Sequence, residues 1–250
     1  NACSDVFAMG GRVAIAVNIA AFPEHFPREA IAAIFDAASA IVAEAGGSIA
    51  GGHTIRNPEP VFGLAVQGVV HPERVWRKGG ARPGDVVMMS KPIGTALALA
   101  AGCSTDKRAA INGMRVLNRH AADQLRALGD DVHAVTDVTG YGLAGHGWEV
   151  AERGAVRLHV ETSNIVAYPG ALKAATEGVR TGGDPRNRAY VEGRATVNAA
   201  DGPAALCFDP QTSGGLLAAV PAARESELTD QGWWRAGFIE SGPAGIVLEA

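Results

Sequence analysis

The 250-residue sequence is poor in cysteine, with only Cys3, Cys103 and Cys207. An odd number of widely spaced cysteines argues against a disulfide framework and against the paired spacing of zinc sites. We therefore interpret each cysteine as a small buried hydrophobic residue. This interpretation fits a reducing compartment, and we expect a cytoplasmic protein.

The sequence also lacks an excess of positive charge and a long apolar run. Lysine and arginine number 22 against 26 acidic residues, which gives a net charge of -4. This balance argues against nucleic acid as a partner. No apolar stretch reaches the roughly 20 residues that a membrane-spanning helix needs, so we expect no membrane partner.

Several familiar catalytic motifs are missing as well. The sequence contains neither the Walker A pattern nor the G-x-G-x-x-G dinucleotide fingerprint. No nucleophile elbow is present, and the Ser, His and Asp residues are too scattered to suggest a hydrolytic triad. A phosphate-binding role must therefore depend on other glycine-rich segments, of which the 32 glycines provide several.

The hydrophobic pattern predicts mixed strands and helices without strict βαβ order, which indicates an α+β fold class. Alternating apolar residues predict strands at 13–19 and 61–70. A helix is expected from Pro27 to Gly46-Gly47, and the connecting segment SIAGGHTIRNPEP lies between this helix and the second strand.

A polar, proline-rich and glycine-rich stretch at 71–85 suggests a junction between two domains. We place the domains at residues 1–78 and 79–250. In the second domain the pattern predicts one long helix over Asp106–Leu128 and a loop over Gly182–Arg188.

The most informative stretch is TDVTGYGLAGH, residues 136–146, in which Asp137 follows a short apolar run. A carboxylate at a strand end, followed by a glycine-rich turn into a helix, can hold a metal ion against phosphates. Asp and Thr are also common in helix caps and turns, so a purely structural role remains an alternative.

Three other segments allow both a functional and a structural interpretation. The run Gly51, Gly52, His53 and Thr54 can wrap phosphates with backbone N–H groups, or it can be an ordinary loop. Arg186, in GGDPRNR, can neutralise phosphate charge. The DPQTSGG segment that begins at Asp209 can form a turn into a strand.

Taken together, five segments resemble the selenophosphate synthetase family, also called selenide, water dikinase. They are NACSDVFAMGG, AGGHTIRNPEPVFGLAVQGVV, TDVTGYGLAGH, GG-x-x-RN and DPQTSGGLL, in this order. The resemblance extends from Asn1 almost to the C-terminus. It implies the two-domain fold shared with aminoimidazole ribonucleotide synthetase, here with an incomplete N-terminal domain.

The resemblance also implies a function: selenide and ATP are converted to selenophosphate, AMP and orthophosphate, for selenocysteine and selenouridine biosynthesis. It assigns Asp137 to the Mg²⁺ ions that bridge the ATP phosphates, and Gly51, Gly52, His53 and Thr54 to ATP binding. It further implies a homodimer that pairs through the N-terminal domain.

One departure from the family pattern is important. The family's catalytic Cys or selenocysteine, a nearby Lys and further metal-binding aspartates have no counterpart in these 250 residues. Cys3 is no substitute, since relatives carry an apolar residue there. We therefore expect the natural protein to begin upstream and this fragment to be inactive. The alternatives are an inactive nucleotide-binding paralogue and another ATP-dependent enzyme of the same superfamily.

Overall fold

The computed structural model describes all residues from 1 to 250. The chain divides into two compact units, Ala2–Val75 and Trp76–Ala250 with Asn1. Helices and strands alternate irregularly in both, and this arrangement confirms the predicted α+β class.

The first unit is a three-stranded sheet with two helices. Its elements are α1 (Ser4–Ala8), β1 (Arg12–Phe22), α2 (Arg28–Glu44), β2 (Ser48–Arg56) and β3 (Val61–Val69). The strand order is β2-β1-β3, with β1 parallel to β2 and antiparallel to β3.

One face of this sheet is covered by α2, and the other is open in the single chain. Phe62 of β3 packs edge-on against Phe35 of α2, with ring centroids 5.4 Å apart. A register shift after Val13 lets the β1 residues of the opposite face point outward, so the large apolar side chains are exposed. These are Ile15, Val17 and Ile19, with exposed fractions of 37%, 44% and 61%.

The segment expected to connect α2 with the next strand is itself a strand, which corrects the prediction of a loop at 51–54. Gly51, Gly52, His53 and Thr54 all lie in β2 and are exposed. Backbone pairing with β1 forms this strand despite the low strand propensity of glycine. Gly52 lies opposite Asn18, and a Cβ on Gly52 would approach the Asn18 carbonyl oxygen to 2.2 Å. The strand itself therefore requires glycine there.

The second unit is a seven-stranded mixed sheet with helices on both faces. Its elements are β4 (Asp85–Met89), α3 (Thr95–Ala101), α4 (Ser104–Arg115), α5 (Arg119–Ala127), β5 (Ala134–Asp137), α6 (Gly142–Gly154), β6 (Arg157–Glu161), α7 (Ala171–Thr176), α8 (Asp184–Tyr190), β7 (Ala195–Val197), α9 (Asp201–Phe208), β8 (Leu216–Pro221), α10 (Glu225–Asp230), β9 (Trp234–Glu240) and β10 (Gly245–Glu249). The strand order is β5-β8-β4-β9-β6-β10-β7.

The central strands of this sheet are enclosed on both faces. All five residues of β4 are buried, and so are the first five of β8. Helices α6 and α9 contribute Leu143, Val150 and Leu206 to the main core. The sheet therefore holds the end of β5 in a fixed position.

The expected long helix over 106–128 was wrong, because two helices, α4 and α5, meet at Val116–Asn118. The Lys91 ammonium donates to the Val116 carbonyl at 2.6 Å, and the Asn118 amide donates to the Gly214 carbonyl at 2.8 Å. Both contacts join the break to residues far away in sequence. The apolar stripe over 106–128 continues across the break and therefore gives no sign of it.

The expected loop over 182–188 was also wrong, since α8 begins at Asp184. Pro185 is well placed in its first turn, where a missing N–H costs nothing. Helices α3 and α9 were not predicted at all. Both are short and rich in small residues, so their apolar periodicity is weak.

Candidate active site around Asp137

Asp137 is the last residue of β5, and the glycine-rich turn behind it leads into α6, as the sequence predicted. Its backbone is fixed by pairing with Leu216 of β8. The residue is only 8% exposed. Its carboxylate accepts no hydrogen bond and forms no ion pair within the chain, and its oxygens keep contact with solvent.

A carboxylate that meets solvent at the end of a strand and has no partner in the chain is available to a cation. Asp137 therefore fits a hard cation such as Mg²⁺. No group of three His, Cys, Asp or Glu side chains in this chain is arranged to hold a metal ion. Further ligands would have to be phosphate oxygens, waters or carboxylates outside this set.

A hydrogen-bonded chain supports the turn after Asp137. Thr139 Oγ1 lies 3.1 Å from His146 Nε2, and His146 Nδ1 lies 3.1 Å from Glu149 Oε2. Lys78 Nζ donates to the same Glu149 oxygen at 2.6 Å. The hydrogen bond from His146, assisted by Lys78, lowers the pKa of Glu149 to about 2.

The glycine at the start of α6 permits a close approach between two backbones. Gly142 has φ +70°, and a Cβ there would lie 2.7 Å from the carbonyl oxygen of Cys207. Only glycine satisfies both conditions. The buried Cys207 has a pKa raised to about 12 by desolvation, so it is the inert hydrophobic residue that the sequence suggested.

Cys3 is buried as expected, but Cys103 is exposed. Its position explains the difference, since Cys103 precedes α4 and its Sγ lies 3.1 Å from Thr105 Oγ1. It therefore contributes to a helix start rather than to the core.

The DPQTSGG segment encloses the first turn of α3. Asp209 Oδ2 accepts from the backbone N–H groups of Ala96 at 3.1 Å and Leu97 at 3.3 Å. Gln211 Oε1 accepts from the N–H groups of Gly94 and Thr95. The structural alternative is therefore favoured for Asp209, whose pKa is raised to about 6 by burial.

The GG-x-x-RN segment connects the turn after Asp137 with the residue that precedes Asp209. Asn187 Nδ2 donates to the carbonyls of Gly140 at 2.9 Å and Phe208 at 2.8 Å. Asp184 is buried and accepts from Arg188 Nε at 2.8 Å, whereas Arg186 is exposed. The asparagine thus fastens the turn that follows Asp137.

The sequence suggested a metal-binding role for Asp137 but no role for four residues that the structure places around the turn, His146, Glu149, Lys78 and Asn187. A local signal existed for one pair, since His146 and Glu149 stand three residues apart on a helix, where side chains meet. The contacts of Lys78 and Asn187 join residues far apart in sequence. Gly51, Gly52, His53 and Thr54 lie in the first compact unit and Asp137 in the second.

The comparisons with known proteins agree with this architecture. Residues 1–70 match the family model of the AIR synthase related protein N-terminal domain, and residues 82–232 match that of its C-terminal domain. A thiamine-monophosphate kinase from Stenotrophomonas maltophilia superposes with a TM-score of 0.74 at 23% identity, covering 98% of this chain and 74% of the kinase. Hydrogenase maturation protein HypE in complex with ATP gives 0.69 at 16% identity, covering 98% and 72%. The fold is therefore that of the two-domain AIR synthase-related proteins.

Relatives of higher sequence identity indicate which family of AIR synthase-related proteins the chain resembles. The selenide, water dikinase of Caldanaerobacter subterraneus is 38% identical over 234 residues, which cover 91% of this chain and 67% of the relative. That of Rhizobium meliloti is 38% identical, with coverage of 99% and 74%, and that of Myxococcus xanthus is 41% identical, with coverage of 89% and 65%. The chain belongs to the selenide, water dikinase family of phosphotransferases. It spans about two thirds of the length of these relatives.

No helix of the chain combines the length and the apolar character needed to cross a membrane.

Proposed function

We propose that the protein carrying this chain synthesises selenophosphate from selenide and ATP, with release of AMP and orthophosphate, in the cytoplasm. The observation that carries the proposal is the membership in the selenide, water dikinase family together with a carboxylate at Asp137 that has no partner in the chain. Phosphoryl transfer depends mainly on positioning and charge neutralisation, so a carboxylate held ready for a cation suits this reaction.

In this proposal Asp137 is a ligand of Mg²⁺. The ion would neutralise the phosphate charge that develops during transfer. What the chain itself contributes is placement, because pairing with β8 fixes the backbone of Asp137. The other ligands would be phosphate oxygens of ATP, water and the family's further aspartates.

ATP binding is assigned to Gly51, Gly52, His53 and Thr54. In β2 these residues are exposed at the edge of the sheet, so their backbone groups are available to a ligand. The nucleotide complex of a protein with the same fold supports ATP as the substrate.

A homodimer is also part of the proposal. The exposed apolar face of β1 is suited to burial against a second copy of the sheet. Ile19→Glu should shift the full-length protein toward monomer in sedimentation experiments, while Ile111→Glu, at an exposed isoleucine of α4, should not. A wild-type monomer at micromolar concentration would contradict this assignment.

The decisive experiment measures products. The full-length protein, incubated anaerobically with ATP, Mg²⁺ and selenide, should form AMP and a selenophosphate signal in ³¹P NMR, and omission of selenide should abolish the selenophosphate. The 250-residue chain alone should show a large loss of this activity, because the family's catalytic Cys or selenocysteine and Lys are absent from it.

Other outcomes would favour the alternatives. ATP binding without turnover by the full-length protein would indicate an inactive nucleotide-binding paralogue. Phosphorylation of a different substrate, without any response to selenide, would indicate another enzyme of the superfamily.

A further inference from the structure

The hydrogen-bonded chain of Lys78, Glu149, His146 and Thr139 ends close in sequence to the proposed cation ligand. Thr139 is two residues beyond Asp137. The strand ladder continues between them, since Val138 N donates to the Gly215 carbonyl at 2.9 Å. Val138, the one residue between Asp137 and Thr139, is thus held against the residue that precedes β8.

The hydrogen-bonded chain joins the two ends of the turn between β5 and α6. Thr139 belongs to the segment that leaves β5, whereas His146 lies in the second turn of α6. Their contact of 3.1 Å therefore fixes the segment behind Asp137 to the helix. His146 is itself held on its other nitrogen by Glu149, and Tyr141 contacts the imidazole edge-on, with ring centroids 5.8 Å apart.

A buried histidine satisfied by two neighbours is often only part of the core. Two features distinguish this one. Its hydroxyl partner, Thr139, is two residues away in sequence from Asp137, whose carboxylate has no protein partner. Its carboxylate partner is itself fixed by the Lys78 ammonium. The chain of hydrogen bonds can therefore act on Asp137 through the backbone of residues 137–139, much as outer hydrogen bonds orient metal ligands in many proteins.

We propose that His146, held by Glu149 and Lys78, is a positioning residue for the cation at Asp137: it fixes the Thr139 side chain and thereby the backbone that aims the Asp137 carboxylate. The inference rests on the proposed function, because it requires a cation at Asp137. It does not depend on the protonation state of His146, since either state makes one hydrogen bond with the Thr139 hydroxyl.

The test measures metal binding directly. Mn²⁺ replaces Mg²⁺, and free Mn²⁺ is measured by EPR in the full-length protein with a non-hydrolysable ATP analogue. Thr139→Val keeps the shape of the side chain but removes the hydroxyl, and it should weaken Mn²⁺ binding about tenfold, the lower end of what loss of an outer partner costs. Thr139→Ser keeps the hydroxyl and should bind within about twofold of wild type.

A matched control removes a threonine hydrogen bond elsewhere. Thr162 is buried, and its hydroxyl donates to the Glu249 carbonyl at 2.8 Å. Thr162→Val should leave Mn²⁺ affinity unchanged. In turnover assays Thr139→Val should raise the KM for Mg²⁺ and leave kcat at saturating Mg²⁺ close to wild type, which a general loss of packing would not do.

Each outcome decides the inference. Wild-type Mn²⁺ affinity in Thr139→Val, with weakened affinity in Asp137→Asn, would overturn the positioning role and leave the metal assignment intact. Equal weakening in Thr139→Val and Thr162→Val would also overturn it, because the effect would then be general. Unchanged affinity in Asp137→Asn would remove the proposed metal site itself, and the inference with it.

Discussion

Two buried aspartates, Asp137 and Asp209, lie in adjoining segments and have opposite surroundings. The segments are joined by the hydrogen bond from Gln211 N to the Thr139 carbonyl at 3.0 Å. Asp209 accepts two backbone N–H groups and the Thr181 hydroxyl, whereas the Asp137 carboxylate has no partner in the chain. The Asp209 side chain is thus tied into the fold by its hydrogen bonds, whereas the Asp137 carboxylate is available to a ligand.

The difference shows why a family-specific motif does not by itself identify a ligand. Both motifs are rich in Asp, Thr and Gly, and both allow a structural and a functional interpretation from sequence. The hydrogen-bond partners favour a structural role for Asp209, and the lack of partners is consistent with the ligand role that we propose for Asp137. Substitutions at the two positions should therefore have opposite consequences for activity and for stability.

The largest effect should come from Asp137→Asn, measured as Mg²⁺-dependent AMP formation by the full-length protein. Asn keeps the shape but removes the charge that holds a hard cation. A loss of several kcal/mol in transition-state stabilisation corresponds to more than about 100-fold in rate. The free energy of unfolding should change by less than about 0.5 kcal/mol, since no contact is lost.

Asp123→Asn is the control, because Asp123 is exposed on α5 and pairs only with Arg126. Near wild-type turnover of Asp137→Asn at limiting Mg²⁺ would contradict the ligand assignment and favour a simple turn or cap.

The second effect should be on stability. Asp209→Ala removes the acceptor for two N–H groups of α3 and for the Thr181 hydroxyl, in a residue only 1% exposed. Leaving buried donors without partners should lower the free energy of unfolding by about 3 kcal/mol at pH 5, measured by urea titration. Asp201→Ala, at an exposed carboxylate on the first residue of α9, should cost far less.

An Asp209→Ala variant as stable as wild type would remove the contrast between the two aspartates. The same variant should retain the Mg²⁺ dependence of the full-length enzyme, provided that it is assayed well below its unfolding temperature.

The sequence predicted the Asp137 region well because its signals are local. An apolar run, an aspartate, three glycines and a helical segment follow one another within the stretch 134–154, and the structure forms a strand, a turn and a helix there. The role of Asp209 could not be predicted in this way. Its partners at Ala96 and Leu97 are more than a hundred positions away, and spacing says nothing about such contacts.

The same reason explains the incorrect elements. The break between α4 and α5 depends on Lys91 and on the Gly214 carbonyl, both distant in sequence. Strand β2 depends on pairing with β1, which outweighs the weak strand propensity of its two glycines. Local sequence patterns therefore predicted the elements whose ends depend on nearby residues. They failed for the elements whose ends depend on hydrogen bonds with residues far away in sequence.

A third effect should appear in the pH dependence of stability. Burial raises the pKa of Asp209 to about 6, above the value of about 3.9 expected in the unfolded chain. Between these values the folded state binds more protons, so the stability contributed by this group is present below about pH 4 and is lost as the pH rises through about 6. The free-energy difference between wild type and Asp209→Asn should therefore be larger at about pH 4.5 than at about pH 7.5. Equal differences at both pH values would contradict the raised pKa.

The smallest effect should come from Asn187, which links the turn after Asp137 to the residue before Asp209. Asn187→Ala removes hydrogen bonds to the Gly140 and Phe208 carbonyls, one on each side. Because two neutral hydrogen bonds contribute about 1 kcal/mol each, unfolding should become easier by about 2 kcal/mol. Mn²⁺ affinity should fall only slightly, because the contact of Thr139 with His146 still holds the turn.

Asn198→Ala, at an exposed asparagine after β7, is the matched control. Thermal unfolding and Mn²⁺ titration of both variants would show whether the two regions are coupled. A loss of Mn²⁺ affinity as large as that of Asp137→Asn would mean that Asn187, rather than His146, fixes the cation site.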